Sequence, residues 1–179
     1  MAGILVANAN PDSAKKIAFV LRSAGLPVVA LCGTGTKAVE YSRRRHGIVV
    51  CSGRLTDMPA VRLPELCERG TDFLFLLKPE EMQVLGETDH LRLQMPLSKA
   101  DLVASAGLLV NLQEAAGLSV RRRMEAGVED ERAVVERAKG LLRERNWMTE
   151  EKAHRFLQKK SMEHGRKLLE SALITLSTR

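Results

Sequence analysis

The stretch GIVVCSGRLTDM, Gly47 to Met58, decides how this chain is read. Ile48 to Cys51 form a short apolar run without polar alternation, the mark of a strand buried on both faces. Ser52 and Gly53 are small and open a loop. In open α/β sheets, ligands and reacting groups gather where strands end and loops begin. The stretch therefore raises one question: does chemistry happen at Ser52?

Working outward, the same pattern recurs. GILVA (Gly3–Ala7), VVALC (Val28–Cys32), FLFLL (Phe73–Leu77) and LRLQM (Leu91–Met95) read as further strands. Between the first two lies a helix with Asp12 or Ser13 as its cap and Ile17, Val20 and Leu21 as its apolar positions. TGTKAVEYSRRR gives a weaker helix, and VRLPELCERG a short connection with room for one helical turn. Apolar strands alternating with helices predict a doubly wound, flavodoxin-like parallel sheet of five strands, covered on both faces.

Composition narrows the classes. The chain has 179 residues, 45% hydrophobic and 28% charged, which is globular. Aromatics are only 3%, so the core must be aliphatic. No apolar run approaches the roughly 20 residues of a membrane span, and the start does not read as a signal peptide. A cytoplasmic protein without a membrane partner is expected. Cys32, Cys51 and Cys67 form no C-x-x-C pair, against a disulfide framework or a zinc site. Cys51 reads as a small buried hydrophobe. His46, His90, His154 and His164 lack ligand spacing, so no metal or cofactor is expected. GTGT (Gly33–Thr36) lacks the spacing of a phosphate loop and reads as a turn. RRRH (Arg43–His46) ends a helix, where cations suit the macrodipole. It is a minor candidate for touching nucleic acid.

The net charge of +6 is uneven. Residues 1–120 carry +1, whereas residues 121–179 hold 15 Lys and Arg against 10 Asp and Glu. That asymmetry suggests a polyanionic partner for the C-terminal part. A solvated, salt-bridged helical surface is the plainer alternative.

From Ser98, a plausible N-cap with Asp101 in the first turn, the pattern turns helical. Leu102, Ala106, Leu109, Leu112 and Ala116 recur at helical spacing, giving a helix over about residues 98–117 that runs into a linker at 118–128. Gln113, Gly117 and Gly127 make the heptads imperfect. The stripe is expected to pair two copies as a coiled coil; the alternative is that it covers the chain's own sheet.

Residues 129–179 parse into three short helices. In the first, Val134, Val135, Ala138, Leu141 and Leu142 share one face, and Arg132, Glu136, Lys139 and Arg143 the other. RNWM breaks it. Thr149 caps the second, with Ala153, Phe156 and Leu157 inward and His154, Arg155, Lys159 and Lys160 left for the surface. Met162, Leu168, Leu169, Ala172 and Leu176 mark the third, with Arg166 and Lys167 outward.

Two resemblances follow from these residues. ILVANANP, SGRLTDM and MPLSKADL, spread over residues 1–117, resemble the receiver domain of bacterial response regulators. That family holds a magnesium ion with paired acids after the first strand, where this chain has Asn8 and Ala9. It phosphorylates an Asp after the third strand, where Ser52 stands, and uses a Lys before a Pro, where Met95 stands. Asn8 and Ala9 bring no negative charge for a hard cation, and Met95 no positive charge for a phosphoryl group. The resemblance therefore implies a degenerate receiver. ERAKGLL, TEEKAHRFL and the SM…RKL…A run, in this order over roughly Glu129 to Leu176, resemble the ANTAR domain of transcription antitermination regulators. That implies binding to stem-loops of structured RNA in a nascent leader transcript, without enzymatic activity. Candidate RNA contacts are Arg132, Lys139, Arg143, His154, Arg155, Lys159, Lys160, Arg166 and Lys167, with Lys139 first. Gly140 suits either a close backbone approach or tight helix packing. Trp147 is bulkier than this turn calls for and is expected to pack across the helix junction. The receiver-like part would dock a regulatory protein or form the homodimer. Two other readings stand beside this one: a protein–protein adaptor without RNA, and a phosphorelay acceptor using another residue such as Asp57.

Overall fold

A computed structural model describes residues 2–44, 47–83, 88–114 and 131–178. β1 (Gly3–Ala7), β2 (Val28–Cys32), β3 (Gly47–Ser52), β4 (Asp72–Leu77) and β5 (Leu91–Gln94) form one sheet in the order β2-β1-β3-β4-β5. Every pairing is parallel. β3 and β4, in the middle, are buried almost throughout, which is why they read as unbroken apolar runs. The edge strand β2 alternates partly buried and exposed residues.

One face is covered by α1 (Pro11–Ser23) and α5 (Lys99–Gln113), the other by α2 (Gly35–Arg44) and short turns. The cap of α1 is Asn10, not Asp12 or Ser13: its side chain accepts from the amides of both. Pro11 then takes the first helical position, where its missing N–H costs nothing. The connection after β3 holds a 3₁₀ turn (Ala60–Arg62) and the four-residue α3 (Leu63–Leu66). After β4 comes the equally short α4 (Pro79–Met82).

α5 is capped by Ser98, as its sequence predicts. It ends at Gln113, short of residue 117. Leu102, Ala106, Leu109 and Leu112 are buried inside the chain, and so are Ser105, Gly107, Leu108 and Val110. Burial that extends beyond one stripe means the helix is covered on more than one side. The sheet lies against it, and so do the C-terminal helices. The stripe read as a coiled-coil seam is thus consumed within one chain as far as it is described. Its continuation through Ala116 and the linker at 118–128 lie outside the described residues.

The C-terminal part is all helical, with α6 (Glu131–Asn146), α7 (Glu150–Glu163) and α8 (Leu168–Ser177). Thr149 caps α7 by accepting from the Lys152 amide. α7 closes with Gly165 at φ 59°, while the Gly165 and Arg166 amides donate to the Met162 and Ser161 carbonyls. That is a Schellman stop, for which a residue without a β-carbon is suited. Met162 ends in α7 and is 81% exposed, so it does not belong to the third helix's apolar face.

One hydrophobic cluster runs from Ile4, Val6, Ile48 and Leu74 in the sheet, through Leu102 and Leu109 of α5, to Val134, Ala138, Phe156 and Ile174 in the helical part. The two parts share a core. Among the described residues, no helix is long and apolar enough to cross a membrane.

Candidate nucleic-acid interface and receiver-type pocket

The parallel register sets Ala7 beside Cys51, Cys51 beside Phe75 and Leu77 beside Gln94. The carboxyl ends of the four strands therefore align, and Asn8, Ala9, Ser52 and Met95 gather at one end of the sheet. Their partners are local. Asn8 Oδ1 accepts from the Asn10 backbone amide at 2.9 Å, and Ser52 Oγ donates to the Arg54 carbonyl at 2.9 Å. Met95 is 40% exposed. The Glu81 side chain accepts from the Lys78 amide and lies so close over Gly53 that a β-carbon there would come within 2.6 Å of its carboxylate.

Asp57 is committed elsewhere. It accepts from the Gly35 amide at 2.6 Å, the Thr36 amide at 2.9 Å and the Thr36 hydroxyl at 2.7 Å. These donors, the Thr36 amide foremost, pull its carboxyl down to about 2. The Gly33–Thr36 turn does present an anion site at a helix N-terminus, and the chain fills it with its own carboxylate. Cys51 is buried and unpaired with another cysteine, its thiol pushed up by burial. Among the described residues, no group of three or more His, Cys, Asp or Glu could hold a metal ion.

The basic residues of the helical part divide into two sets. Lys139, first among the candidates, is only 8% exposed, and its ammonium is held by Glu136 at 2.6 Å and Glu150 at 3.1 Å. The hydrogen bond to Glu136, helped by Glu150, raises its pKa, and the hydrogen bond from Lys139 lowers that of Glu150. Lys160 is 4% exposed and pairs with Asp72 at the start of β4 and with Glu163. Burial pulls its ammonium down, but the two carboxylates more than offset this and leave it raised. Neither lysine is a free surface cation, contrary to their place on the polar faces. A helical wheel shows only which residues leave a helix's own apolar face. Here Lys160 meets Asp72 at the start of β4, and Lys139 meets Glu150 at the start of α7.

Arg132, Arg143, Arg155, Lys159 and Lys167 are exposed, and His154 and Arg166 are half-buried. Arg143 lies on α6, and Arg155 and Lys159 succeed each other by one turn on α7. Trp147 is 53% exposed with φ 55°, so it does not pack across the junction as expected. Gly140 supports no close contact: a β-carbon there would meet nothing within 4 Å. Gly140, Arg143, Glu144 and Trp147 line an open groove floored by Met148.

The sequence reading missed what holds the two parts together. Asp72 also accepts from the Gln113 amide at 2.8 Å, and the same amide donates to the carbonyls of Gly47 and Gly70. Arg92 donates to the Trp147 carbonyl at 2.7 Å, and buried Asn146 donates to Ser105 Oγ at 3.0 Å. A charged residue opening the run DFLFLL was the available signal, because a carboxylate buried there requires a partner.

The chain thus has two parts: an α/β unit of receiver-type topology, with Asn8, Ala9, Ser52 and Met95 at the carboxyl ends of its strands, followed by a helical unit. Residues 128–173 match the ANTAR domain family. The N-terminal fold is similar to a response regulator receiver protein from Sinorhizobium medicae WSM419, with TM-score 0.53 and 21% identity over 63% of this chain and 97% of that one. It is also similar to a signal receiver domain of an HD domain-containing protein from Pseudomonas fluorescens Pf-5, with TM-score 0.54 and 17% identity over 64% and 90%. RcsB from Salmonella enterica serovar Typhimurium, solved on a promoter, covers 99% of both chains with TM-score 0.51 and 14% identity. None of the curated proteins matches the chain. Residues 128–173 thus carry the ANTAR match, and the unit before them has the receiver-type fold.

Proposed function

We propose that this chain regulates transcription antitermination, without enzymatic activity, by binding hairpins in a nascent leader RNA. The observation that carries this reading is the ANTAR match over α6–α8, since the ANTAR domain is known as the RNA-binding antitermination module of response regulators. The exposed cations Arg143, Arg155 and Lys159 support it, being placed for phosphates on two successive helices. Lys139 and Lys160 leave the contact list, because each already answers two carboxylates. The receiver-type unit takes no phosphoryl group on an Asp in this reading and responds to a protein partner instead. The working form is a homodimer, each copy meeting one of a pair of stem-loops.

The test is binding of the full chain to a leader RNA with two hairpins, over a range of salt. Specific binding with steep salt dependence is expected. Neutralising Arg143, Arg155 and Lys159 together should flatten the salt slope by about three phosphate contacts. Equal binding to scrambled RNA would sink the reading and favour a protein–protein adaptor. Sedimentation should show two copies per RNA, and a single copy counts against the dimer.

A further inference from the structure

We propose that Trp147 is a platform on which an unpaired base of an RNA hairpin loop stacks, with Arg143 meeting the phosphate beside it. This rests on the RNA reading above and names the part of the RNA that the α6–α7 junction takes.

The first observation is a comparison between two helix ends. α7 stops at Gly165 and α6 stops at Trp147, with φ 59° and 55°. Where only a turn is required, the chain uses glycine. A side-chain-bearing residue in this conformation carries a steric cost. An indole could recover that cost by burial, yet this one is 53% exposed, while the next residue, Met148, is 5% exposed. Internal packing therefore does not account for the tryptophan. Strain kept without a packing return is the kind of outlier that points to function.

The second observation is rigidity. The Trp147 carbonyl is held by Arg92 at 2.7 Å. The preceding Asn146 is fully buried, and its amide donates to Ser105 and to the Arg92 carbonyl. A platform fixed from behind loses little conformational freedom on binding, which favours aromatic contact.

The third is the space beside it. Gly140 stands seven residues before Trp147 and lines the same groove. Glycine inside a helix is less favourable than alanine, because it loses more backbone freedom on folding. Its missing β-carbon would touch nothing, so no neighbour in the chain demands it. Instead it leaves the groove open next to the indole. Arg143, one turn before Trp147, supplies a cation at the rim. Glu144 supplies an acceptor suited to the amino group of cytosine or guanine. A flat apolar face, a cation at its edge and a hydrogen-bond acceptor match a single splayed nucleotide. They do not match a duplex, whose bases are stacked away.

Trp147 is the chain's sole tryptophan, so its emission reports on this site directly. The full chain is titrated with a pool of RNA hairpins of fixed stem and randomised loops, and with the same stem closed by an abasic loop. Quenching by the looped pool and not by the abasic stem is expected. Trp147→Gly should weaken retention of the looped pool about tenfold or more, and Trp147→Phe should keep most of it. The glycine variant should melt no lower than the parent, which separates lost binding from lost folding. Retained hairpins with unchanged emission, equal quenching by the abasic stem, or full affinity in Trp147→Gly would each overturn the platform while leaving the RNA reading standing. Failure of every hairpin to bind would overturn both.

Discussion

The two ends of the sheet carry different polar groups. At the carboxyl ends of the strands stand Asn8, Ala9, Ser52 and Met95, and the Glu81 carboxylate lies over Gly53. At the amino ends of β3 and β4 lies a buried group of Asp72, Lys160 and Gln113 that binds the sheet to the helical unit. The difference teaches that burial and pairing govern the polar residues at the amino end of this sheet, whereas those at the carboxyl end make only local contacts.

The largest expected effect comes from breaking the amino end. Lys160→Met leaves Asp72 buried without its cation and should cost about 3–5 kcal/mol by chemical denaturation. Combining it with Asp72→Leu should recover most of that loss, since an apolar pair of similar volume avoids the stranded charge. A double variant as unstable as the single one would show that the pair itself supplies stability.

Next comes acid. Burial, aided by Lys159 and Lys160, lowers His90 to about 3, and its neutral ring packs edge-on against Phe73 at 5.1 Å. The unfolded chain takes up that proton near pH 6.5 and the folded chain does not. The His90 contribution is therefore intact above pH 6.5. It should fall by about 1.4 kcal/mol per pH unit between 6.5 and 3. Subtracting the curve of His90→Phe from that of the parent isolates it, and parallel curves would refute the assignment.

Smaller effects belong to the carboxyl end. Asp57→Ala removes an acceptor from three donors at the start of α2 and should lower the melting temperature by about 3 °C. Its share of stability is present above pH 4 and lost as pH falls towards 2, because its folded pKa is the lower one. A small phosphodonor should leave the intact mass unchanged. Addition of one phosphoryl group would restore the phosphorelay reading. Smallest of all, neutralising Arg143 should leave the melting curve in place.

The strands were legible because β3 and β4 are buried on both faces, and burial of that kind writes itself as an apolar run. The helical caps at Ser98 and Thr149 were legible because a hydroxyl before an apolar pattern has few other uses. Asn10 escaped because the residues after it also make good caps. The site was less legible for a physical reason. Lys139 and Lys160 look like surface cations to any periodicity, and only the tertiary fold reveals that Glu150 and Asp72 come to meet them. Exposure of Trp147 escaped similarly, since an aromatic residue ordinarily signals burial.

The position of α5 has one more consequence. It is a party wall: the sheet leans on one side of it, and α6 and α8 lean on another. Cutting the chain after α5 would leave the first half with a bare greasy flank and the second without a foundation. The two units carry names from two separable families, yet in this chain neither is a cassette that can be lifted out and fitted to another partner without rebuilding the wall.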